Sequence, residues 1–81
     1  MHPGAVLQEV YMKEMNLSQS ELARRLKSSP RKINEIVNQK RGVSAELALQ
    51  FEEVLGTSAS MWGRMQAEYD LFLAREKKLA A

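Results

Sequence analysis

Residues 17–38 read LSQSELARRLKSSPRKINEIVN, and they contain the signals for two short helices separated by a tight turn. Ser18 and Glu21 have the spacing of a capping box, which opens a helix. Ser29 is a favourable N-cap for a second helix. Pro30 suits the first helical position because the N–H donor that it lacks would be unpaired there anyway. The sequence therefore predicts two consecutive helices joined by three or four residues.

The two predicted helices, near residues 18–26 and 30–38, separate apolar from polar side chains. At about 100° per residue, the second helix places Ile33, Ile36 and Val37 on one side. The other side carries polar or charged residues, with a lysine on the flank: Arg31, Asn34, Glu35, Asn38 and Lys32. An ordinary amphipathic helix would show the same separation. The preceding short helix favours a helix-turn-helix, whose second helix enters the major groove of DNA.

The polar side chains of this region match the groups that DNA presents. Arginine pairs with guanine, asparagine can pair with adenine, and glutamate can accept from cytosine. Glu35 has an alternative role, which we favour, as a partner that tethers Arg31 one helical turn earlier. Helix N-termini favour phosphate, which indicates a backbone contact near Ser18 and Gln19. The candidate DNA-binding residues are Ser18, Gln19, Ser29, Arg31, Lys32, Asn34, Glu35, Asn38, Lys40 and Arg41.

Positive charge is concentrated in the same region. The chain has a formal net charge of only +2, but residues 18–41 carry +5 and the remainder carries −3. A basic patch of this kind suits a phosphate backbone.

Helical spacing and capping signals predict three further helices, so we expect an all-α, five-helix single domain over residues 1–81. The first helix runs from about residue 4 to 15. The fourth follows the N-cap Ser44 and ends at Gly56, which has the left-handed C′ position typical of glycine. The last covers about residues 59–79. The residues expected to face inward are Leu7, Val10 or Tyr11, and Met15 in the first helix, Leu22, Ala23 and Leu26 in the second, and Leu47, Phe51, Val54 and Leu55 in the fourth.

Several classes of function lack the residues that they need. The chain has no cysteine and a single histidine, His2, so the common thiolate, zinc and acid–base sites are missing their usual parts. No nucleophile–base pair, paired-carboxylate site or phosphate loop stands out. No apolar run approaches the roughly 20 residues of a membrane span, and no signal peptide is evident. We expect a cytoplasmic, non-enzymatic protein without metal, cofactor or membrane contact.

Several stretches of the sequence resemble a known family. LSQSELARRL followed by INEIVNQKRGVS is similar to the lambda-repressor-like helix-turn-helix of the Xre class. The surroundings are more specific: HPG at 2–4, INEIVNQKRG at 33–42, A-L-x-F…L-G-T-S at 48–58 and MW…Q-A-x-Y-D-L at 61–71. In this order and spacing, over nearly the whole chain, they resemble the HigA antitoxin family.

The resemblance implies a type II antitoxin. Such proteins silence a HigB-like toxin, a messenger-RNA-cleaving ribonuclease of the RelE type, and repress their own operon as dimers on a palindromic operator. The sequence departs from the family at the turn, where Lys27 replaces a common glycine, Ser28 an aliphatic residue and Pro30 an often polar one. We expect Lys27 to adopt a left-handed conformation at some cost. These departures bear on the operator sequence and on the strength of DNA binding.

The last helix is too apolar for a peripheral element of so small a domain, which predicts that it contributes to a homodimer. An apolar stripe of this kind also suits a core. The candidate dimer residues are Met61, Trp62, Met65, Tyr69 and Phe72.

The acidic flanks are candidates for toxin binding, because a ribonuclease that acts on messenger RNA should present cations. Helical signals from about residue 4 to 73 leave no room for a long disordered tail, so the toxin surface is expected on the folded domain. Ordinary solvated carboxylates are an equally good interpretation. The candidates are Glu9, Glu14, Glu46, Glu52 and Glu53.

Two other functions fit the sequence. One is a stand-alone Xre-type repressor without a toxin. The other is a helical protein-interaction module with weakened DNA binding, which the altered turn favours and the basic excess at residues 18–41 opposes.

Overall fold

The computed structural model describes residues 1–80, which form helices and, in that part of the chain, no strand. The predicted all-α, five-helix architecture is confirmed, with helices α1 to α5. The first helix, α1, continues directly into a π-helical segment. The bounds are Pro3–Val6 for α1, Leu7–Met12 for the π-helical segment, Gln19–Arg25 for α2, Pro30–Val37 for α3, Ala45–Leu55 for α4 and Ala59–Ala80 for α5.

Serine side chains begin three of the helices, as the sequence predicts. Each hydroxyl accepts a hydrogen bond from the backbone N–H three residues later, at 3.1 Å for Ser18 and Ser44 and 3.2 Å for Ser29. The Glu21 carboxylate pairs with Arg24, and that hydrogen bond lowers the pKa of Glu21 below its usual value. Of the two interactions of a capping box, the Ser18 hydroxyl therefore makes the first, while the Glu21 carboxylate is bonded to Arg24.

Left-handed residues end the first four helical stretches, and only one of them is glycine. The φ angles are 53° for Asn16, 55° for Lys27, 62° for Gln39 and 71° for Gly56. After each of the three non-glycine residues, the next N–H donates to the carbonyl five residues earlier at 2.8 Å, the Schellman pattern of helix termination. The left-handed conformation expected of Lys27 is thus confirmed. The steric cost of this conformation at Lys27 is offset by the hydrogen bond that the Ala23 carbonyl accepts from Ser28 N.

The π-helical segment changes which side chains of the first helix are buried. Leu7 and Met12, five residues apart, are 0% and 6% exposed, whereas Val10 and Met15 are 46% and 40% exposed. A π-helix bonds residue i to i+5, so side chains five apart share its inner face. The expectation that Met15 faces inward with Leu7 is therefore wrong, and of the two alternatives Val10 and Tyr11 it is Val10 that is exposed. Tyr11 is half-buried against the core.

The core lies between these helices, and Trp62 of α5 is its largest fully buried side chain. Its ring packs against Phe51 at 4.8 Å and Tyr11 at 5.5 Å between centroids. Its Nε1 donates to Thr57 Oγ1 at 2.7 Å, which satisfies the indole. The inward residues predicted for α2, α3 and α4 are buried, apart from half-buried Val54 and Leu55: Leu22, Ala23, Leu26, Ile33, Ile36, Val37, Leu47 and Phe51.

The opening His-Pro-Gly fixes α1 against α3 and α5, a role that the sequence does not reveal. The Nδ1 atom of His2 accepts a hydrogen bond from Gly4 N at 2.8 Å and caps α1. The His2 ring is buried and meets Tyr69 edge-on at 4.6 Å. A Cβ atom on Gly4 would lie 1.8 Å from the Ile36 carbonyl oxygen, so only glycine lets α1 approach α3 this closely.

The burial of His2 predicts a pH dependence of stability. Desolvation lowers the pKa of His2 below 6.5, against an opposing effect of Asp70 and with a smaller contribution from the N-terminal ammonium. The unfolded chain therefore binds a proton at pH values where the folded chain does not. The free energy of unfolding should fall as the pH drops below about 6.5 and level off below the folded-state pKa. Urea unfolding between about pH 5 and 8 measures this.

The control for that experiment is His2→Asn. Asparagine supplies an oxygen that can cap the helix but does not titrate in this range. The variant should lack the decrease; an unchanged decrease in His2→Asn would show that another group causes it.

Candidate nucleic-acid interface

α2 and α3 pack through their apolar sides and present a common polar face. Leu22 and Ala23 on α2 and Ile33 and Ile36 on α3 are at most 1% exposed. On the polar face, Asn34 Nδ2 donates to Gln19 Oε1 at 3.2 Å, so a side chain at the start of α2 is linked to the middle of α3.

Arg31 projects from this face with its side chain 89% exposed. Its Nε lies 4.0 Å from Glu35 Oε2, a loose contact. The nearer partner of Glu35 is Arg41, whose Nε and Nη2 donate to Glu35 Oε1 at 3.1 Å and 2.9 Å. The expected pairing of Glu35 with Arg31 is therefore present, but it is the longer of the two ion pairs of Glu35. The left-handed turn at Gln39 returns the chain toward α3 and brings Arg41 to the carboxylate.

The other predicted DNA-binding residues divide into those already engaged and those without a partner. Asn38 Nδ2 donates to the Asn34 carbonyl at 2.9 Å and helps to end α3. The Ser18 and Ser29 hydroxyls serve as helix caps. Lys32 and Lys40 have no ion-pair partner within residues 1–80. The structure brings all ten predicted residues to α2, α3 and their flanking loops; their contact with DNA stays a prediction.

Gln66 on α5 also reaches this region, and sequence reasoning did not place it there. Its Oε1 accepts from Val43 N, in the loop that follows α3, at 2.8 Å. The only available signal was the Q-A-x-Y-D-L motif, of which Gln66 is the first residue.

The predicted dimer residues differ widely in exposure. Trp62 is wholly buried within the chain and has no surface to offer a second chain, so it belongs to the core and not to a dimer interface. Met61, Met65 and Tyr69 are half-buried. Phe72 is 53% exposed, and its neighbours Leu71 and Leu73 are each 47% exposed.

Two of the five predicted acidic residues have structural partners. Glu9 pairs with Lys13 at 3.3 Å, and Glu52 Oε2 accepts from Ala59 N at 2.8 Å, which fixes the start of α5. Glu14, Glu46 and Glu53 are exposed and have no ion-pair partner in the described part of the chain. A role for any of them in partner binding stays a prediction.

The described residues contain no cluster of His, Asp and Glu suited to a metal ion. None of their helices is long and apolar enough to cross a membrane.

The paired helices, the turn between them and the cations around the exposed face of α3 define a helix-turn-helix protein. The chain belongs to the Xre-type helix-turn-helix family, which matches residues 9–62. Virulence-associated protein I of Dichelobacter nodosus is 45% identical over 78 residues, which cover 96% of this chain and 72% of that protein.

Solved structures of HigA-type antitoxins are among the structural neighbours, in agreement with the resemblance seen in the sequence. The Pseudomonas aeruginosa antitoxin HigA with the higBA promoter is 36% identical, with a TM-score of 0.88 over 98% of this chain and 89% of that one. PA4674 from Pseudomonas aeruginosa, in complex with its operator DNA, is 39% identical, with a TM-score of 0.87 over 91% of this chain and 80% of that one.

Proposed function

We propose that this protein is the antitoxin of a type II toxin–antitoxin system. It binds a palindromic operator as a homodimer, represses its own operon and neutralises a HigB-like, messenger-RNA-cleaving toxin of the RelE type. The single observation that carries the proposal is the exposed face of α3, where the Arg31 side chain is 89% exposed and Gln19 is hydrogen-bonded to Asn34. The similarity of this chain to HigA and PA4674, whose structures were both solved with DNA, supports the same function.

In this mechanism α3 enters the major groove while the surrounding cations contact phosphates. Arg31 reaches a base edge, where arginine binds guanine through two hydrogen bonds. Lys32 and Lys40 contact the backbone and release counterions, which makes the affinity depend on salt. The hydrogen bond between Asn34 and Gln19 fixes the position of the Gln19 amide before DNA arrives, so less side-chain entropy is lost on binding.

Arg31 and Lys40 are expected to contribute differently. Arg31→Ala should cost about 1–3 kcal/mol on the operator and change the base preference at one position in each half-site. Lys40→Ala should weaken binding to all sequences similarly and reduce the salt slope by about 1. Fluorescence anisotropy titrations with operator duplexes and their single-base variants measure both effects. A uniform loss over all duplexes in Arg31→Ala would remove that residue from base reading.

The toxin half of the proposal is tested by co-expression. Any small open reading frame found next to the gene is expressed with and without this protein, and growth and co-purification are followed. Growth arrest by the neighbour alone, relieved by this protein, is the expected result. Operator binding without any such neighbour would indicate a stand-alone repressor instead.

The toxin is expected to bind the folded domain and to leave its helices in place. We expect hydrogen exchange to show new protection on the first or fourth helix, near Glu14 or near Glu46 and Glu53, because exposed carboxylates there suit a basic partner. Protection confined to the terminal residues, with none on the helices, would refute this expectation.

A further inference from the structure

We propose that Gln66 of α5 is a positioning residue for the DNA-contact loop, defined as residues 39–43. Gln66 does not touch DNA itself; it holds the backbone that carries Lys40 and Arg41. The inference rests on the proposed DNA binding and adds to it a determinant that lies outside the helix-turn-helix.

The Gln66 amide is held in one orientation by two hydrogen bonds. Its Oε1 accepts from Val43 N at 2.8 Å, and its Nε2 donates to Asp70 Oδ1 at 3.0 Å. Asp70 lies one turn further along α5, so the carboxylate selects the amide orientation in which the oxygen faces the DNA-contact loop. The side chain is half-buried: its hydrogen bond to Val43 is partly shielded from water, whereas the one to Asp70 is exposed.

Gly42 shows how closely this side chain lies against the DNA-contact loop. A Cβ atom on Gly42 would lie 2.8 Å from Gln66 Oε1 and 2.9 Å from its Nε2. Gly42 is not among the residues with positive φ, so a side chain at this position would conflict with the Gln66 amide and not with the backbone conformation. The amide of Gln66 therefore packs directly on the loop backbone.

The other end of the DNA-contact loop is held by α3. Lys40 N donates to the Glu35 carbonyl at 2.8 Å, and the Arg41 side chain donates to the Glu35 carboxylate. Lys40 and Arg41 thus lie between one attachment to α3 and another to α5. Without the second attachment, the loop would have to lose backbone freedom on meeting DNA, and that ordering would weaken binding.

The experiment compares Gln66→Ala with Glu68→Ala, a matched change at an exposed position of the same helix. Operator affinity is titrated at several salt concentrations for both variants and the wild type, with circular dichroism to verify the fold. Gln66→Ala should lose roughly tenfold in affinity, in proportion to one hydrogen bond, and show a smaller salt slope. Glu68→Ala should bind like the wild type.

A double-mutant cycle with Lys40→Ala separates positioning from a general loss of structure. If Gln66 acts through the loop cations, Gln66→Ala should cost less in a Lys40→Ala background than in the wild type. In the free protein, exchange of the Val43 amide should accelerate at least about tenfold in Gln66→Ala, because its acceptor is removed.

The outcomes are distinguishable. If the wild type binds the operator, and Gln66→Ala and Glu68→Ala bind it with equal affinities and equal salt slopes, the inference is overturned. Absence of operator binding by the wild type would overturn the proposed function, while Val43 exchange would still decide whether Gln66 holds the loop; an unchanged exchange rate in Gln66→Ala would overturn the positioning role.

Discussion

Gly4→Ala is expected to lower the free energy of unfolding by about 3 kcal/mol, the upper part of the usual range for overpacking. The added Cβ would lie 1.8 Å from the Ile36 carbonyl oxygen and 2.7 Å from its carbon. Backbone atoms of a buried helix cannot rotate away as a side-chain tip can, so α1 must separate from α3. Such a loss is a large part of the roughly 5–15 kcal/mol that stabilises a domain. Urea denaturation followed by circular dichroism measures it.

Gly63→Ala is the matched control, because a Cβ there meets nothing within 4 Å. Gly63 lies inside α5, where alanine is favoured over glycine by about 0.5–1 kcal/mol. The same substitution should therefore destabilise the protein at one glycine and stabilise it at the other. A stability loss below about 1 kcal/mol in Gly4→Ala would show that the contact between α1 and α3 is not tight.

Phe72→Glu is expected to convert the proposed dimer into a monomer. Phe72 is 53% exposed in the single chain and lies between the exposed residues Leu71 and Leu73. A charge at this position would therefore be buried at the proposed interface. A monomer binds only one half-site, so the operator affinity should fall by roughly 10²–10⁴-fold. Sedimentation velocity and anisotropy titration report the two effects. Tyr69 is less suitable for this test, because its ring also packs against His2.

Leu49→Glu is the control for this experiment. Leu49 is an apolar residue on α4 with 58% exposure, comparable to Phe72. The Leu49→Glu substitution should leave both the mass of the assembly in sedimentation and the operator affinity unchanged. A dimer that survives Phe72→Glu would place the interface elsewhere and contradict the assignment to α5.

Local signals explain why the sequence predicts much of the fold. The caps at Ser18, Ser29 and Ser44 and the left-handed Gly56 depend on a few neighbouring residues, and all four occur as expected. The apolar faces of α2 and α3 follow from helical period in the same way. The π-helical segment could not be predicted, since Leu7 and Met12 share a face only when the backbone bonds five residues apart.

The parts of the candidate site that the sequence misses depend on contacts between distant residues. Glu35 and Arg31 have helical spacing and suggest a pair, yet Arg41 is the nearer partner because the chain reverses at Gln39. Gln66 lies 23 positions after Val43, and no periodicity indicates their hydrogen bond.

The salt dependence of DNA binding by the wild-type protein tests the central claim most directly. Anisotropy titrations would use a duplex from upstream of the gene and a scrambled duplex of equal composition, each at several salt concentrations. We expect tighter binding to the upstream duplex, with the logarithm of affinity falling linearly with the logarithm of salt by about 0.9 per phosphate contact. Salt-independent affinity, equal affinity for both duplexes, or no binding would contradict the account.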